Sequence, residues 1–291
     1  MSRASQGTPA APAERQFPLP GLTLAAQVWG KPGDRPVLAA HGWLDNAASF
    51  DLLAPQLPDC EIVALDLAGH GASGSRSPDS GYNLWQDVGD FLDVLDALGW
   101  ARCTLLGHSR GAAISMLFAA TFPDRVDKLV LIEGGAPLIG SAADAPATLA
   151  HALLDRRSLR DKVGRVFAQR AKAIQERAQG FTKVSVAAAE VLARRSLREV
   201  PGGFRWHADQ RLKGASELRL TADHVRAFVR RVAAPVLLIL ADDGPFGRLP
   251  LYDEVIGLLA DVEVVRLPGG HHLHLEGTEV EIAGRIRAFL G

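Results

Sequence analysis

The pentapeptide Gly107-His108-Ser109-Arg110-Gly111 restricts the fold of this chain more than any other segment. It matches G-x-S-x-G, a pattern that chance would place roughly 0.1 to 0.2 times in a chain of this glycine and serine content. Its surroundings give it weight. The apolar run 103–106 leads into it, and residues 112–118, helical in pattern, lead out. A strand that turns at once into a helix needs small residues on both sides of the serine, which Gly107 and Gly111 supply. Such a turn holds the hydroxyl at the carboxyl end of a sheet, above the positive end of a helix dipole. Ser109 is therefore the candidate nucleophile.

The rest of the chain fits a sheet of that kind. Residues 22–29, 36–40, 61–66, 103–106, 128–132, 236–240 and 262–267 are short runs rich in Val, Ile and Leu. Most lack polar alternation, as do parallel strands covered on both faces. Lys31-Pro32-Gly33-Asp34 is a turn signal, so the first two strands are expected to pair as an edge hairpin. Leu84, Val88, Phe91, Leu92, Leu95 and Leu98 keep helical spacing until Gly99. Alternation of this type predicts an α/β sheet, mostly parallel, with right-handed crossovers.

Between about 138 and 231 the alternation stops. Residues 147–154, 161–179 and 184–197 look helical, Pro146 suits the start of the first, and no strand is evident. Residues 151–231 hold 15 Arg and 4 Lys against 8 Asp and Glu, a surplus of 11 in a chain of net charge −1. Pattern and charge together predict a helical cap over 138–231, inserted in a core made of 17–137 and 232–291. The surplus is either a solvated surface or a field that attracts anionic substrates or an acidic partner. Arg110, beside the nucleophile, is a candidate anchor for a substrate carboxylate. Residues 1–16, polar and rich in Ala, Pro and Ser, read as a disordered tail rather than a signal peptide.

Several classes are excluded. With 32 basic and 33 acidic side chains there is no surplus to neutralise nucleic-acid phosphates. No apolar run approaches the ~18 residues of a membrane span. Cys60 and Cys103 are the only cysteines, which rules out a disulfide framework and suits a reducing, cytoplasmic setting.

The motifs resemble those of the α/β-hydrolase fold superfamily, and the likeness runs from Leu22 to the end. Besides the pentapeptide, His41-Gly42-Trp43 resembles the family's oxyanion loop. Asp66-Leu67-Ala68-Gly69-His70-Gly71-Ala72-Ser73 resembles its D-x-x-G-x-G-x-S turn. Pro268-Gly269-Gly270-His271-His272-Leu273-His274-Leu275-Glu276 resembles its terminal histidine loop. The segments 131–138 and 204–212 are similar to the serine-hydrolase-like branch. The resemblance implies a serine hydrolase that cleaves an ester or related acyl bond of a small-molecule substrate through an acyl-enzyme, with no cofactor, and it leaves open thioesters, lactones, amides and carbon–carbon bonds. A serine at position 109, rather than aspartate, argues against dehalogenase or epoxide hydrolase chemistry.

A serine hydroxyl needs a neighbouring imidazole to take its proton, and the imidazole needs a carboxylate to fix its tautomer. His271 follows the last expected strand and a Gly269-Gly270 pair, and it holds the family's first-histidine position. His272 and His274 read as structural neighbours, and His41 and His108 as loop-shaping residues. The backbone N–H groups of Trp43 and Arg110 are the candidate oxyanion donors.

Three rival readings are weaker. Gly69-His70-Gly71-Ala72-Ser73-Gly74 is a formal dinucleotide fingerprint, but loop residues follow it where a helix must open. His271, His272 and His274 lack the spacing of a metal motif, so no metal is expected. A non-catalytic binding module on the same fold would not need the serine, histidine and acid set.

The acid departs from the commonest family pattern. That pattern puts an aspartate after the strand 236–240, and here the position falls on Gly244. Asp242 and Asp243 stand one or two residues early. Glu133 instead directly follows the strand ending at Ile132, and it is the expected acid.

Overall fold

The computed structural model describes residues 11–249 and 252–291. In chain order the core opens with β1 (Ala13–Leu19), β2 (Leu22–Trp29), β3 (Arg35–Ala40) and β4 (Cys60–Leu65). It continues with α1 (Leu84–Leu98), β5 (Cys103–His108), α2 (Arg110–Thr121) and β6 (Val126–Ile132). The insert holds α3 (Ala145–Leu159), α4 (Arg170–Ala178), α5 (Val186–Ser196) and a hairpin of β7 (Leu197–Val200) and β8 (Gly203–Trp206). The chain then returns through α6 (Ala222–Val229), β9 (Val236–Ala241), α7 (Tyr252–Leu258), β10 (Val262–Leu267) and α8 (Glu279–Leu290).

Eight strands form one sheet in the order β1-β2-β4-β3-β5-β6-β9-β10. It is parallel from β4 to β10 and antiparallel at β1 and β2. Every residue of β4, β5 and β9 is buried, which explains their unbroken apolar runs. On one face α1, α2 and α6 cover Leu38, Leu105, Leu129 and Leu238. On the other, α8 and the loop helices at 47–56 cover Ile62, Leu106, Ile132 and Ile239. Ten of the twelve residues of α2 are buried, so this helix is apolar all round. It is the shaft on which Ser109 is mounted.

The expected hairpin of the first two strands does not form. β2 pairs with β1 and β4, whereas β3 lies between β4 and β5. Val37, Leu38, Ala39 and Ala40 are all buried, and a strand hidden on both faces takes an interior place. Of the expected disordered tail, residues 1–10 lie outside the described residues, but 13–16 pair with 25–28 as an edge strand. Its Glu14, Arg15 and Gln16 face solvent, which disguised it; charged residues suit an edge.

The insert also differs from expectation. Only Arg170–Ala178 of the 161–179 stretch is helical, because Phe167 pairs with Phe204 of β8 through two backbone hydrogen bonds of 2.8 Å. The β7–β8 hairpin turns at Pro201-Gly202, a turn signal that the helical reading passed over. α6 buries Val225 and Val229 in the core cluster, so the insert ends before it. A small cluster of Ile174, Val184, Val191 and Leu192 sits on Ala48 and Leu275 of the core.

Candidate active site

Ser109 stands between β5 and α2 with φ 51° and ψ −112°, a conformation that non-glycine residues seldom adopt. The glycines beside it are required sterically. A Cβ on Gly107 would lie 2.5 Å from the Ala112 Cα, and one on Gly111 would lie 2.0 Å from the Ala40 carbonyl oxygen. The backbone is that close because α2 is pressed against β3 and β5.

The hydroxyl lies 3.0 Å from Nε2 of His271, and Nδ1 of that ring lies 3.3 Å from Oε2 of Glu133. Serine, histidine and glutamate thus form one hydrogen-bonded chain. Glu133 is wholly buried, and its other oxygen accepts the Ala241 N–H at 2.9 Å. Asp242 and Asp243 are exposed; the Asp243 side chain is 83% accessible and faces Arg248 at 4.0 Å. Neither joins the chain.

Gly244 leaves room for Glu133. A Cβ there would lie 2.3 Å from the Glu133 carboxyl group. The carboxylate arriving from β6 fills the space that a side chain at 244 would occupy.

The remaining histidines are structural. His41 accepts the Leu67 N–H on Nε2 at 3.0 Å, and His70 accepts the Leu44 N–H at 3.2 Å. Burial lowers both to about 4, helped by the neighbouring His70 ring for His41 and by Arg110 for His70. Burial takes His274, 2.9 Å from the Ser49 hydroxyl, to about 3, and holds His108 well below its ordinary value. Nε2 of His108 donates to the His271 carbonyl at 2.8 Å and so fixes the loop that carries His271.

Asp45 was not foreseen. Fully buried, it meets Arg177 of α4 through Oδ1 at 2.5 Å and His272 through Oδ2 at 3.1 Å. Burial opposes its ionisation, but its contacts with His272 and Arg177 hold the carboxyl well below the usual range. One carboxylate therefore ties the 41–45 loop, the histidine loop and the insert together. Phe246, also unforeseen, stacks on the His271 ring at 5.5 Å and 16°. A buried acid just after the oxyanion-type turn was the available signal for Asp45; nothing local marked Phe246.

Arg110 is not a free anchor. Its guanidinium donates to Asp87 at 2.5 Å and to the Tyr82 carbonyl at 3.1 Å. Its backbone N–H, at the first turn of α2, and that of Trp43 are absent from the loop and turn hydrogen bonds of the described residues. His108, His271 and His272 bring ring nitrogens within 4.8 Å of one another, against about 3.4 Å for the ligands of a tetrahedral zinc. Each of the three rings is already bound through Nε2 to a protein atom.

Residues 35–278 match the α/β hydrolase fold family. The chain belongs to that family. Within it the hydrolase falls in the serine-hydrolase-like branch. It is 32% identical to a serine hydrolase-like protein of Danio rerio, across 96% of this chain and 89% of the relative. It is also 32% identical to serine hydrolase-like protein 2 of Homo sapiens, across 95% and 93%. A crystal structure of the hypothetical protein PA1622 from Pseudomonas aeruginosa PAO1 superposes with a TM-score of 0.91 at 45% identity, covering 95% of this chain and 98% of that one. Family membership and these names support hydrolase activity. Among the described residues of this α/β-hydrolase, no helix is long and apolar enough to cross a membrane.

Proposed function

We propose that the protein cleaves a carboxylic ester or related acyl bond through an acyl-enzyme. Ser109 Oγ attacks the carbonyl carbon while His271 Nε2 takes its proton. The N–H groups of Trp43 and Arg110 receive the oxyanion. Collapse of the tetrahedral species breaks the bond to the leaving group, which takes the proton back from His271. A water then attacks the acyl-serine by the same route and frees the acid. Glu133 keeps the imidazole in the correct tautomer and stabilises its cation without itself taking the proton.

One observation carries this reading: the 3.0 Å contact between Ser109 and His271, with Glu133 behind the ring. A cavity of about 760 Å³ opens on these groups and is lined largely by apolar side chains, Leu84, Leu117 and Leu138 among them, which suits an apolar acyl group. The test is a panel of p-nitrophenyl esters of rising chain length, with fluorophosphonate labelling of Ser109. Ser109→Ala should abolish labelling and lower turnover by about 10⁶, as loss of a triad serine does. A tenth of the wild-type rate surviving in a folded variant would sink the acyl-enzyme mechanism.

A further inference from the structure

A second cavity of about 320 Å³ lies beside the first and contains none of the reacting side chains. Trp43, Phe181, Thr182 and Lys213 line both cavities, so these residues form the wall between them. Trp43 is fixed, because its indole N–H donates to the Leu212 carbonyl at 2.9 Å. Phe181 is not fixed. It is 93% exposed and meets the Trp43 ring edge-on, with centroids 6.2 Å apart. An aromatic ring left almost entirely in water gains little from burial, so folding alone gives no reason for it here.

The polar groups around the smaller cavity are nearly all engaged. The Trp206 indole donates to the Ala173 carbonyl, and Nδ1 of His207 bonds the Gly71 carbonyl. Arg177 is held by Asp45 and the Thr182 carbonyl. Lys213 differs. Its ammonium makes one bond, to Gln210 at 3.0 Å, and has no carboxylate partner among the described residues. Two of its three donors stay free.

Position relates this wall to the chemistry. On the reading proposed above, the Trp43 N–H receives the oxyanion, so the scissile carbonyl lies against the wall residue itself. With the acyl group in the larger, apolar cavity, the group on the far side of the scissile bond meets the wall next.

We propose that the smaller cavity is a second subsite of the same centre, taking the alcohol- or thiol-side group of the substrate. That group is anionic and is held by Lys213, and Phe181 limits its width. The inference rests on the acyl-enzyme reading.

The test uses hexanoate esters of three phenols of matched shape, bearing a carboxylate, a phosphonate or a neutral carboxamide. The wild-type protein should favour at least one anionic ester over the carboxamide by about tenfold in kcat/KM, less at high salt. K213Q should bring that ratio close to one, and K213R should restore it. F181A should raise kcat/KM for a naphthyl ester relative to a phenyl ester by severalfold. Melting temperatures check that each variant is folded. A ratio unmoved by K213Q, or a width preference unmoved by F181A, overturns the subsite while Ser109 still labels and esters still turn over. Absence of both labelling and turnover overturns the acyl-enzyme reading, and the subsite with it.

Discussion

The core and the insert are held by different forces. The sheet and its helices bury nearly continuous aliphatic surface, and every atom that positions Ser109 rests on that packing. The insert has less such surface: α4 and α5 bury a small cluster around Ile174, Val191 and Leu192, but α3 buries only Ala152 and leaves Leu149, Leu153 and Leu154 exposed. Arginines add to that hold. Arg177 reaches Asp45, Arg195 reaches Asp66, and Arg211 donates to the carbonyls of Arg76, Ser77 and Ser80. Two of its arginines, Arg177 and Arg195, are thus engaged with buried core acids rather than left as a field for ligands. Apolar packing fixes geometry tightly, which a reacting serine needs. Charged struts instead seat a cover whose contacts depend on single pairs.

The sharpest test on the core side is Glu133→Gln. The neutral amide cannot stabilise the imidazolium and favours the wrong tautomer, so kcat should fall by about 10³ to 10⁴. Asp242→Asn and Asp243→Asn, both at exposed positions, should stay within about twofold. The reverse ranking in folded variants would move the acid to β9.

On the insert side, Asp45→Asn strands the buried Arg177 without a countercharge. We expect a loss of about 3–5 kcal/mol in urea unfolding, the usual cost of breaking a buried pair from one side. Adding Arg177→Met should recover part of it; no recovery would mean that the pair is not a strut.

Acid should act on the core histidines next. The unfolded chain takes up protons below the ordinary histidine value of 6.5, while burial keeps His41 and His70 neutral to about 4 and His274 to about 3. Their contribution is present above pH 6.5 and is lost as pH falls towards 4. Asp51 and Asp90, pushed up to about 6 by burial, act in the opposite direction over the same window. The histidines outnumber them by one, so stability should fall by roughly 1 kcal/mol per pH unit between 6 and 4. A melting temperature that stays flat from pH 7 to 4 contradicts this.

The smallest effect belongs to the insert surface. Arg165 and Glu176 form an exposed pair, and Arg165→Ala should cost less than about 0.5 kcal/mol. A larger loss would mean that surface pairs also hold the insert.

What the sequence revealed follows the same division. Ser109, His271 and Glu133 were legible because a strand–serine–helix turn, a terminal histidine loop and a strand-end acid leave local patterns. The interior strands were legible from unbroken apolar runs. β1 was hidden because an edge strand carries polar residues, and β7 and β8 because their part-exposed residues give neither a clean alternation nor an apolar run. Asp45 and Phe246 matter through partners about 130 and 25 residues away, at Arg177 and His271, and no local pattern records such contacts.

The close fit between Gly244 and Glu133 has a consequence for descent. A Cβ at 244 would meet the end of the Glu133 side chain at 2.3 Å, so a side chain gained at 244 must displace that carboxylate. On the proposed reading, an ancestor that carried both would hold the carboxylate at 133 away from its present place behind the histidine. Which strand carries the acid should therefore be a slow character, inherited by whole branches rather than exchanged between near relatives.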